Sequence, residues 1–339
     1  MKTTPVSTMG LINATRESRM NLQFKIAEAQ KEANSGRYAD VGLSIGYLTE
    51  RTLSLRNEMD RLKTFKDTNS VAASRLELSQ VQLNAMADAA SEFVRTLQAA
   101  RASPSSAGVA VTDAKAKLTS FTASLNTAVN GAYIFSGVNT DVKPMNDYAG
   151  SQTQTDVAAA FAALGPPGDI SAADMKTFLD GAFKDLFVLD ANWANMSSAS
   201  DRNITNRITN NERIATSTNA NEEPFRLLTS VYAMIVDLPL DQLGEGAYLA
   251  VIDTAMALAG QSEGGLTGIR ASLGTSQERI KSANDRMDVQ LGLLNEHIVA
   301  IEGVDPYEAQ VKVNALLTQL ETAYALTARL QNLSLLKYI

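Results

Sequence analysis

Apolar residues recur every three or four positions over long stretches of the chain, which is the spacing of one face of an α-helix. The clearest stretch runs from residue 47 to residue 103, where neither proline nor glycine interrupts the sequence. It predicts one helix of about fifty residues, roughly 75 Å long at 1.5 Å per residue. Polar residues occupy some seam positions, and the apolar ones keep the near-heptad spacing of a coiled coil: Leu48, Leu55, Met59, Leu62, Phe65, Ala73, Leu76, Leu83, Ala87, Ala90, Val94 and Leu97.

A second long helix is predicted in the last third of the chain. Gly303 and Asp305 separate it from a final helical stretch, in which Asp305 suits the N-cap, Pro306 the first helical position and Glu308 a capping-box acid. The stripe of the second long helix consists of Leu266, Ile269, Leu273, Ile280, Met287, Leu291, Leu294, Ile298 and Ile301.

The two terminal stretches carry apolar stripes that we expect to be covered by other helices. A short stripe of Leu22, Ile26, Ala29 and Ala33 precedes a break at residues 34–37. The last helix carries the longer stripe of Leu316, Leu320, Ala323, Leu326, Leu330 and Leu333, and its apolar character continues through Leu335, Leu336, Tyr338 and Ile339. We therefore predict that these positions form an assembly interface, with Leu22 and Ile26 on the N-terminal side.

The middle of the chain has a different composition. After Gly137 the heptads stop, and residues 165–168 predict a turn because they read Gly-Pro-Pro-Gly. Ser171 followed by Asp174 predicts a capped short helix. Residues 204–208 and 214–218, on either side of Asn210 and Asn211, could pair as a β-hairpin.

These patterns together predict a mainly α fold. Long N- and C-terminal helices would form an antiparallel, coiled-coil-like rod that carries a small inserted mixed α/β domain. The predicted division has three parts: a terminal assembly domain (1–43 and 304–339), a helical rod domain (44–140 and 222–303) and an outward-facing insert (141–221).

Composition excludes several classes of function. The chain of 339 residues has a net charge of −7, so no basic stripe is available for nucleic acid. No apolar run approaches the ~18 residues of a membrane span. The first twenty residues lack the apolar core of a signal peptide, so we do not expect general secretion. Cysteine is absent, which removes disulfides and thiolate chemistry.

The sequence predicts no catalytic residue, no cofactor and no metal site. His297 is the only histidine, and its place beside an apolar stripe indicates a solvated or half-buried helix residue. A His-Glu-x-x-His zinc site needs two histidines on one helical face, so it is excluded. We expect Glu222 and Glu223 to begin a helix, and Trp193 to anchor a small core together with Phe183 and Phe187.

Four short segments, in this order, resemble the flagellin superfamily and most closely its hook-filament junction members. Residues 34–37 resemble the family's Ser-Ser-Gly-Lys/Arg element. Residues 133–137, with Asn139, Thr140, Asp141 and Pro144, resemble the junction signature Phe-Ser-Gly-x-x-Thr-Asp. Residues 270–274 are similar to the Arg-x-x-Leu-Gly element, and residues 334–339 to the Ser-Leu-Leu-x-Tyr-Leu ending. Residues 38–42 depart from the family's Pro-Ser-Asp-Asp run.

The resemblance implies a structural, non-enzymatic protein of the bacterial flagellum. It implies a junction adaptor between the hook, through hook-associated protein 1, and the flagellin filament. The expected partners are a ring of identical subunits, hook-associated protein 1, flagellin, and an export chaperone on the C-terminal helix. The expected location is extracellular, reached through the flagellar type III apparatus. Two alternatives stay open here: a filament flagellin, and a soluble helical signalling or effector protein.

Overall fold

The computed structural model describes residues 8–335, with the side chains of residues 8, 9, 11, 12 and 330–335 left out of the description. The helices are α1 (Thr8–Ser35), α2 (Val41–Ile45), α3 (Thr49–Ala102), α4 (Ala107–Leu125), α5 (Gln152–Ala162), α6 (Ala172–Phe178), α7 (Lys184–Val188), α8 (Asp190–Trp193), α9 (Glu223–Asp237), α10 (Glu245–Glu302) and α11 (Pro306–Leu335). Short 3-10 turns occupy Gly46–Leu48, Pro104–Ser106 and Pro167–Asp169, and a π-helical turn occupies Leu179–Phe183. The strands are β1 (Ala128–Val129), β2 (Ala132–Tyr133), β3 (Thr205–Thr209) and β4 (Glu212–Ala215).

The chain divides into two compact units, whose boundaries fall inside α3 and α10. The terminal unit comprises Met1–Thr64 and Arg286–Ile339, and the central unit comprises Phe65–Asp285. The predicted mainly α fold is confirmed, because about three quarters of the chain is helical and its β-structure consists of small antiparallel pairs. The three-part domain division made from the sequence stays a prediction.

In the terminal unit, α1 and α11 pack side by side in opposite directions. Gln23 Nε2 donates to the Tyr324 hydroxyl at 3.2 Å, while Lys312 Nζ donates to Glu32 Oε2 at 3.1 Å. Because the later residue of α1 pairs with the earlier residue of α11, the two helices are antiparallel. Asp305 Oδ1 accepts from the backbone N–H of Tyr307 at 2.8 Å, which confirms the predicted N-cap of α11.

In the central unit, α3 and α10 form a second antiparallel pair joined by polar contacts. The Asn69 amide donates to Asn284 Oδ1 at 2.8 Å and to the carbonyl of Ile208 at 3.1 Å. Farther along, Gln80 Nε2 donates to the Arg270 carbonyl at 2.7 Å. The single helix predicted over residues 47–103 is confirmed as α3, and Asn69 and Gln80, which interrupt its apolar seam, make these inter-helix bonds.

Aromatic side chains fill the core of the central unit. Tyr232 on α9 contacts Phe93 of α3 and Phe121 of α4, with ring centroids 5.1 and 6.1 Å apart. Farther along the chain, Phe183 packs against Phe178 and Phe187 at 5.9 and 5.2 Å. Buried rings of this size contribute much of the apolar area that stabilises a domain.

The residues predicted to anchor the core of the insert are buried as expected. Trp193 is 2% exposed, and its indole Nε1 donates to Asn221 Oδ1 at 2.9 Å, so its polar edge is satisfied. Ser171 Oγ accepts from the N–H of Asp174 at 3.1 Å and caps α6, which confirms the predicted capping residue. Both sequence predictions therefore hold in the folded unit.

The hairpins β1–β2 and β3–β4 differ in whether they were predicted from the sequence. The weakly indicated pair β3–β4 is present, with Asn206 opposite Ile214. The pair β1–β2 was not predicted, although Asn130 and Gly131 join its strands with φ of 51° and 81°. An Asn-Gly pair is the strongest short hairpin signal, because both residues tolerate positive φ. The helices α4 and α5 were not predicted either.

Candidate assembly surfaces

The predicted interface residues of the terminal unit are only partly covered within one chain. Ile26 is buried at 7% exposure, and Leu22, Leu316 and Leu320 are half-buried in the α1–α11 contact. Leu326 is 53% exposed and belongs to a different face of α11. The side chains of Leu330, Leu333 and Leu335 lie outside the described residues, as do Leu336 and Tyr338 as a whole. The assembly role of all these positions stays a prediction.

Helix α11 has apolar residues on two faces. One face lies against α1 and includes Ala309 and Val313, which are 2% and 4% exposed. Roughly opposite, at the 100° advance per residue of an α-helix, lie Tyr307 at 85% and Val311 at 67% exposure, while Leu326 at 53% lies on the flank between the two faces. We call Tyr307 and Val311 the outer face of α11. It is available to a further partner.

Exposed apolar side chains concentrate in the terminal unit. It contributes fourteen of the twenty large apolar side chains that are exposed among the described residues, although the central unit is the larger one. Because interaction sites in proteins are marked by exposed apolar surface, this unit is the better candidate for one. The fourteen are Met20, Phe24, Tyr38, Leu43, Tyr47, Leu53, Val289, Leu293, Val299, Tyr307, Val311, Leu317, Tyr324 and Leu326.

A buried carboxylate organises the base of the α1–α11 pair. Glu302, whose side chain is 2% exposed, forms an ion pair with Nη2 of Arg56 at 2.5 Å and a second ion pair with Arg37. Burial by itself raises the pKa of the Glu302 carboxyl, but the hydrogen bond from Arg56 and the charges of both arginines outweigh it, so the pKa lies below its ordinary value. Sequence reasoning missed this cluster, and only the nearby break at Gly303 pointed to the region.

The segment that carries the junction-like signature is held in a narrow backbone channel. Gly137 has φ of +64°, and a Cβ there would lie 2.4 Å from the carbonyl oxygen of Ser200. The Ser200 N–H donates to the Ser136 carbonyl at 3.0 Å, and the Ala220 N–H donates to the Phe135 carbonyl at 2.8 Å. Glycine at this position is therefore required both by conformation and by space.

The described residues contain no arrangement that indicates catalysis. No group of three or more histidine, cysteine, aspartate or glutamate side chains is placed to hold a metal within the part of the chain that the structure describes. His297 is exposed, in agreement with its predicted solvated position. None of the described helices combines the length and apolar character that a membrane crossing requires.

Two family models match the chain at its two ends. The bacterial flagellin N-terminal helical region matches residues 6–140, and the bacterial flagellin C-terminal helical region matches residues 252–339. Together they cover about two thirds of the sequence, including α1, α3, α4 and α11. No curated protein matches the chain significantly.

Two of the solved structures that resemble parts of this chain have little sequence in common with it. A protein from Vibrio parahaemolyticus described as a flagellar hook-associated protein is 9% identical with a TM-score of 0.53, over 75% of this chain and 96% of its own. FlgL from Bacillus cereus is 9% identical with a TM-score of 0.48, over 75% of this chain and 99% of its own. With both terminal regions matched by its models, the chain belongs to the flagellin superfamily and is a structural, non-enzymatic protein of the bacterial flagellum.

Proposed function

We propose that this protein is the hook-filament junction subunit, hook-associated protein 3. In this role a ring of identical copies contacts hook-associated protein 1 on the hook side and flagellin on the filament side. Such contacts are heterologous, because each copy presents different surfaces to the subunits on its two sides. The terminal helices supply these surfaces, while residues 141–221 face outward.

The observation that carries the assembly role is the concentration of exposed apolar side chains on the terminal unit. A single chain leaves Tyr307 and Val311 in water on the outer face of α11 while it buries the opposite face against α1, and Leu326 on the flank is exposed as well. Burying apolar area contributes about 25 cal/mol per Å². Covering the outer face by neighbouring subunits is therefore a favourable source of assembly energy.

The choice of junction protein over filament flagellin rests on the resemblance of two segments. Residues 135–141 read Phe-Ser-Gly-Val-Asn-Thr-Asp, and residues 334–339 read Ser-Leu-Leu-Lys-Tyr-Ile. A filament flagellin would use the same terminal helices, so the alternative differs in how far the protein polymerises. Export through the flagellar type III apparatus, with a chaperone on α11 before assembly, belongs to the same proposal.

Deleting the gene tests the junction role. We expect intact hooks and flagellin monomers shed into the medium, since the filament has nothing to attach to. Restoring the gene should restore attached filaments. Normal filaments in the deletion strain would contradict the proposal, and long filaments built from this chain alone would identify it as a flagellin.

A matched pair of substitutions tests whether the outer face of α11 carries the assembly. Val311→Asp places a charge on this face, and Val71→Asp places the same charge on α3 in the central unit; the two valines are 67% and 72% exposed. Neither change should unfold the chain, because both side chains are already in water. We expect Val311→Asp to abolish filament attachment and Val71→Asp to retain it, as scored by electron microscopy of complemented cells. The reverse result would move the interface to the central unit.

A further inference from the structure

Two chain breaks of the terminal unit lie side by side. One follows α1 at Gly36, and the other follows α10 at Gly303. The N–H of Val304 donates to the Gly36 carbonyl at 2.9 Å, and the N–H of Tyr38 donates to the Glu302 carbonyl at 3.1 Å. These two backbone bonds form a joint between the end of α1 and the end of α10, next to the start of α11.

Both glycines are required by the backbone at this joint. Gly36 has φ of +65°, a conformation that L side chains rarely adopt. A Cβ on Gly303 would lie 2.3 Å from the carbonyl oxygen of Val299. The same oxygen accepts a hydrogen bond from the N–H of Gly303 at 2.7 Å. The joint is consequently a site where the helices end sharply and where the chain direction can change over very few residues.

The carboxylate of Glu302 connects three elements at the joint. Arg56 of α3 makes a bidentate contact with it: Nε donates to Oε1 at 3.3 Å, and Nη2 donates to Oε2 at 2.5 Å. Arg37, from the segment after α1, donates to the same Oε2. The side chain of Glu302 is 2% exposed, whereas those of Arg56 and Arg37 are 39% and 44% exposed. Two-pronged arginine–carboxylate pairs fix geometry as well as adding energy.

A second ion pair holds α1 and α11 to each other. Lys312 of α11 reaches Glu32 of α1 at 3.1 Å, and Glu32 Oε1 also accepts from the N–H of Ala39 at 3.4 Å. The seam between the two helices is therefore stabilised by contacts that do not involve Glu302. We therefore expect the release of Glu302 to leave this seam in place.

We propose that Glu302 is a latch that sets the angle of the α1–α11 pair. When its carboxylate is released from Arg37 and Arg56, the pair turns as one body about the Gly36–Gly303 joint, with the α1–α11 seam intact. The latch gives each subunit a means of meeting neighbours at different angles without separating its terminal helices. This inference does not depend on whether the subunit serves at the junction or in a filament.

Distance measurements between spin labels test the latch, and the absence of cysteine makes labelling selective. Ala27→Cys with Asn295→Cys reports the angle between α1 and α10. Ala27→Cys with Thr322→Cys reports the α1–α11 seam. All three positions are exposed. In the otherwise unchanged chain we expect one narrow distance for each pair.

Glu302→Gln should broaden the 27–295 distance and leave the 27–322 distance narrow. The control Glu28→Gln removes an exposed carboxylate from α1 and should change neither. Arg56→Lys keeps the charge but loses the two-pronged contact, and should broaden the 27–295 distance less than Glu302→Gln. If Glu302→Gln loses helix by circular dichroism, the Arg56→Lys comparison carries the test.

Three results would overturn the latch. The 27–295 distance could stay narrow in both Glu302→Gln and Arg56→Lys. It could already be broad with Glu302 present. Finally, both distances could broaden together, which would mean that the two helices separate instead of turning as one body.

Discussion

The two compact units bury their apolar side chains in different ways. The central unit encloses large rings such as Phe93, Phe183 and Trp193, each at most 2% exposed. Among the described residues, the buried apolar side chains of the terminal unit contain no aromatic ring: Ile26, Ala29, Ile45, Leu62, Met287, Ile298, Ala309 and Val313. Buried area of this kind stabilises a unit by itself. The central unit thus has its own core, while the terminal unit combines a narrow apolar contact between helices, ion pairs and exposed apolar side chains.

The stability loss on removing one large aromatic ring should show the clearest difference between the two units. Phe183→Ala empties a ring site at 0% exposure and should lower the free energy of unfolding of the central unit by about 3–5 kcal/mol. Phe24→Ala in α1, where the ring is 66% exposed, should change stability by no more than about 0.5 kcal/mol. Urea unfolding followed by the single tryptophan, Trp193, measures the first, and circular dichroism measures the second. Equal losses would remove the distinction.

Alkaline pH should weaken the central unit selectively. Burial raises the pKa of Tyr148, Tyr232 and Tyr248, with Asp237 adding to the shift of Tyr148 and Asp113 to that of Tyr232. Because the folded pKa lies above the unfolded value, their contribution is complete below about pH 10 and is lost as pH rises further. The loss is about 1.4 kcal/mol per tyrosine for each pH unit between the two values. Trp193 fluorescence against pH measures it, and Tyr148→Phe should reduce the slope.

Acid should weaken the terminal unit through Glu302. Its folded pKa is lowered, so its contribution is present above the unfolded value of about 4.3 and is lost as pH falls through the folded pKa. The Tyr38 and Val304 amides span the joint, and their protection from hydrogen exchange, taken relative to the intrinsic rate at each pH, should fall below that pH. The same amides in Glu302→Gln should show no such fall in protection. Protection that does not change with pH in the unchanged chain would contradict the assignment.

Removing an arginine partner of the buried Glu302 carboxylate should lower the free energy of unfolding more than removing the carboxylate itself. Arg56→Met leaves Glu302, at 2% exposure, with Arg37 as its remaining arginine partner and should destabilise the terminal unit by about 1.5–3 kcal/mol. Glu302→Gln leaves two arginines that water can reach, so its loss should be smaller. Thermal unfolding of the two variants under one condition compares them, and a larger loss in Glu302→Gln would contradict this order.

Removing a helix cap from each unit should give the smallest difference in stability between the two units. Ser171→Ala removes the cap of α6, and Asp305→Ala removes the cap of α11; each should cost about 0.5–2 kcal/mol locally. In the central unit the loss should appear in the global unfolding monitored by Trp193. In the terminal unit it should appear as faster hydrogen exchange at the start of α11, with the Trp193 transition unchanged. A shift of that transition in Asp305→Ala would show that the units unfold together.

The local features of this fold could be read from the sequence. The heptad spacing predicted α3, and the capping residues Asp305 and Ser171 predicted the starts of two helices. The Asn130–Gly131 pair is a hairpin signal for β1–β2, although that hairpin was not predicted. These features depend on neighbours within a few residues, because a helical face repeats every 3.6 residues and a cap bonds three residues ahead. Family resemblance likewise rests on short segments.

The tertiary structure decided which of several equivalent surfaces meet. Leu320 and Leu326 have the same chemistry and fit the same spacing, yet one lies half-buried against α1 and the other is exposed. Glu302 looks like any helical acid until α3 brings Arg56 to it across 246 residues of sequence. Periodicity identifies apolar faces and charged positions, but the burial and pairing of each depend on contacts between distant segments, which the local pattern does not encode.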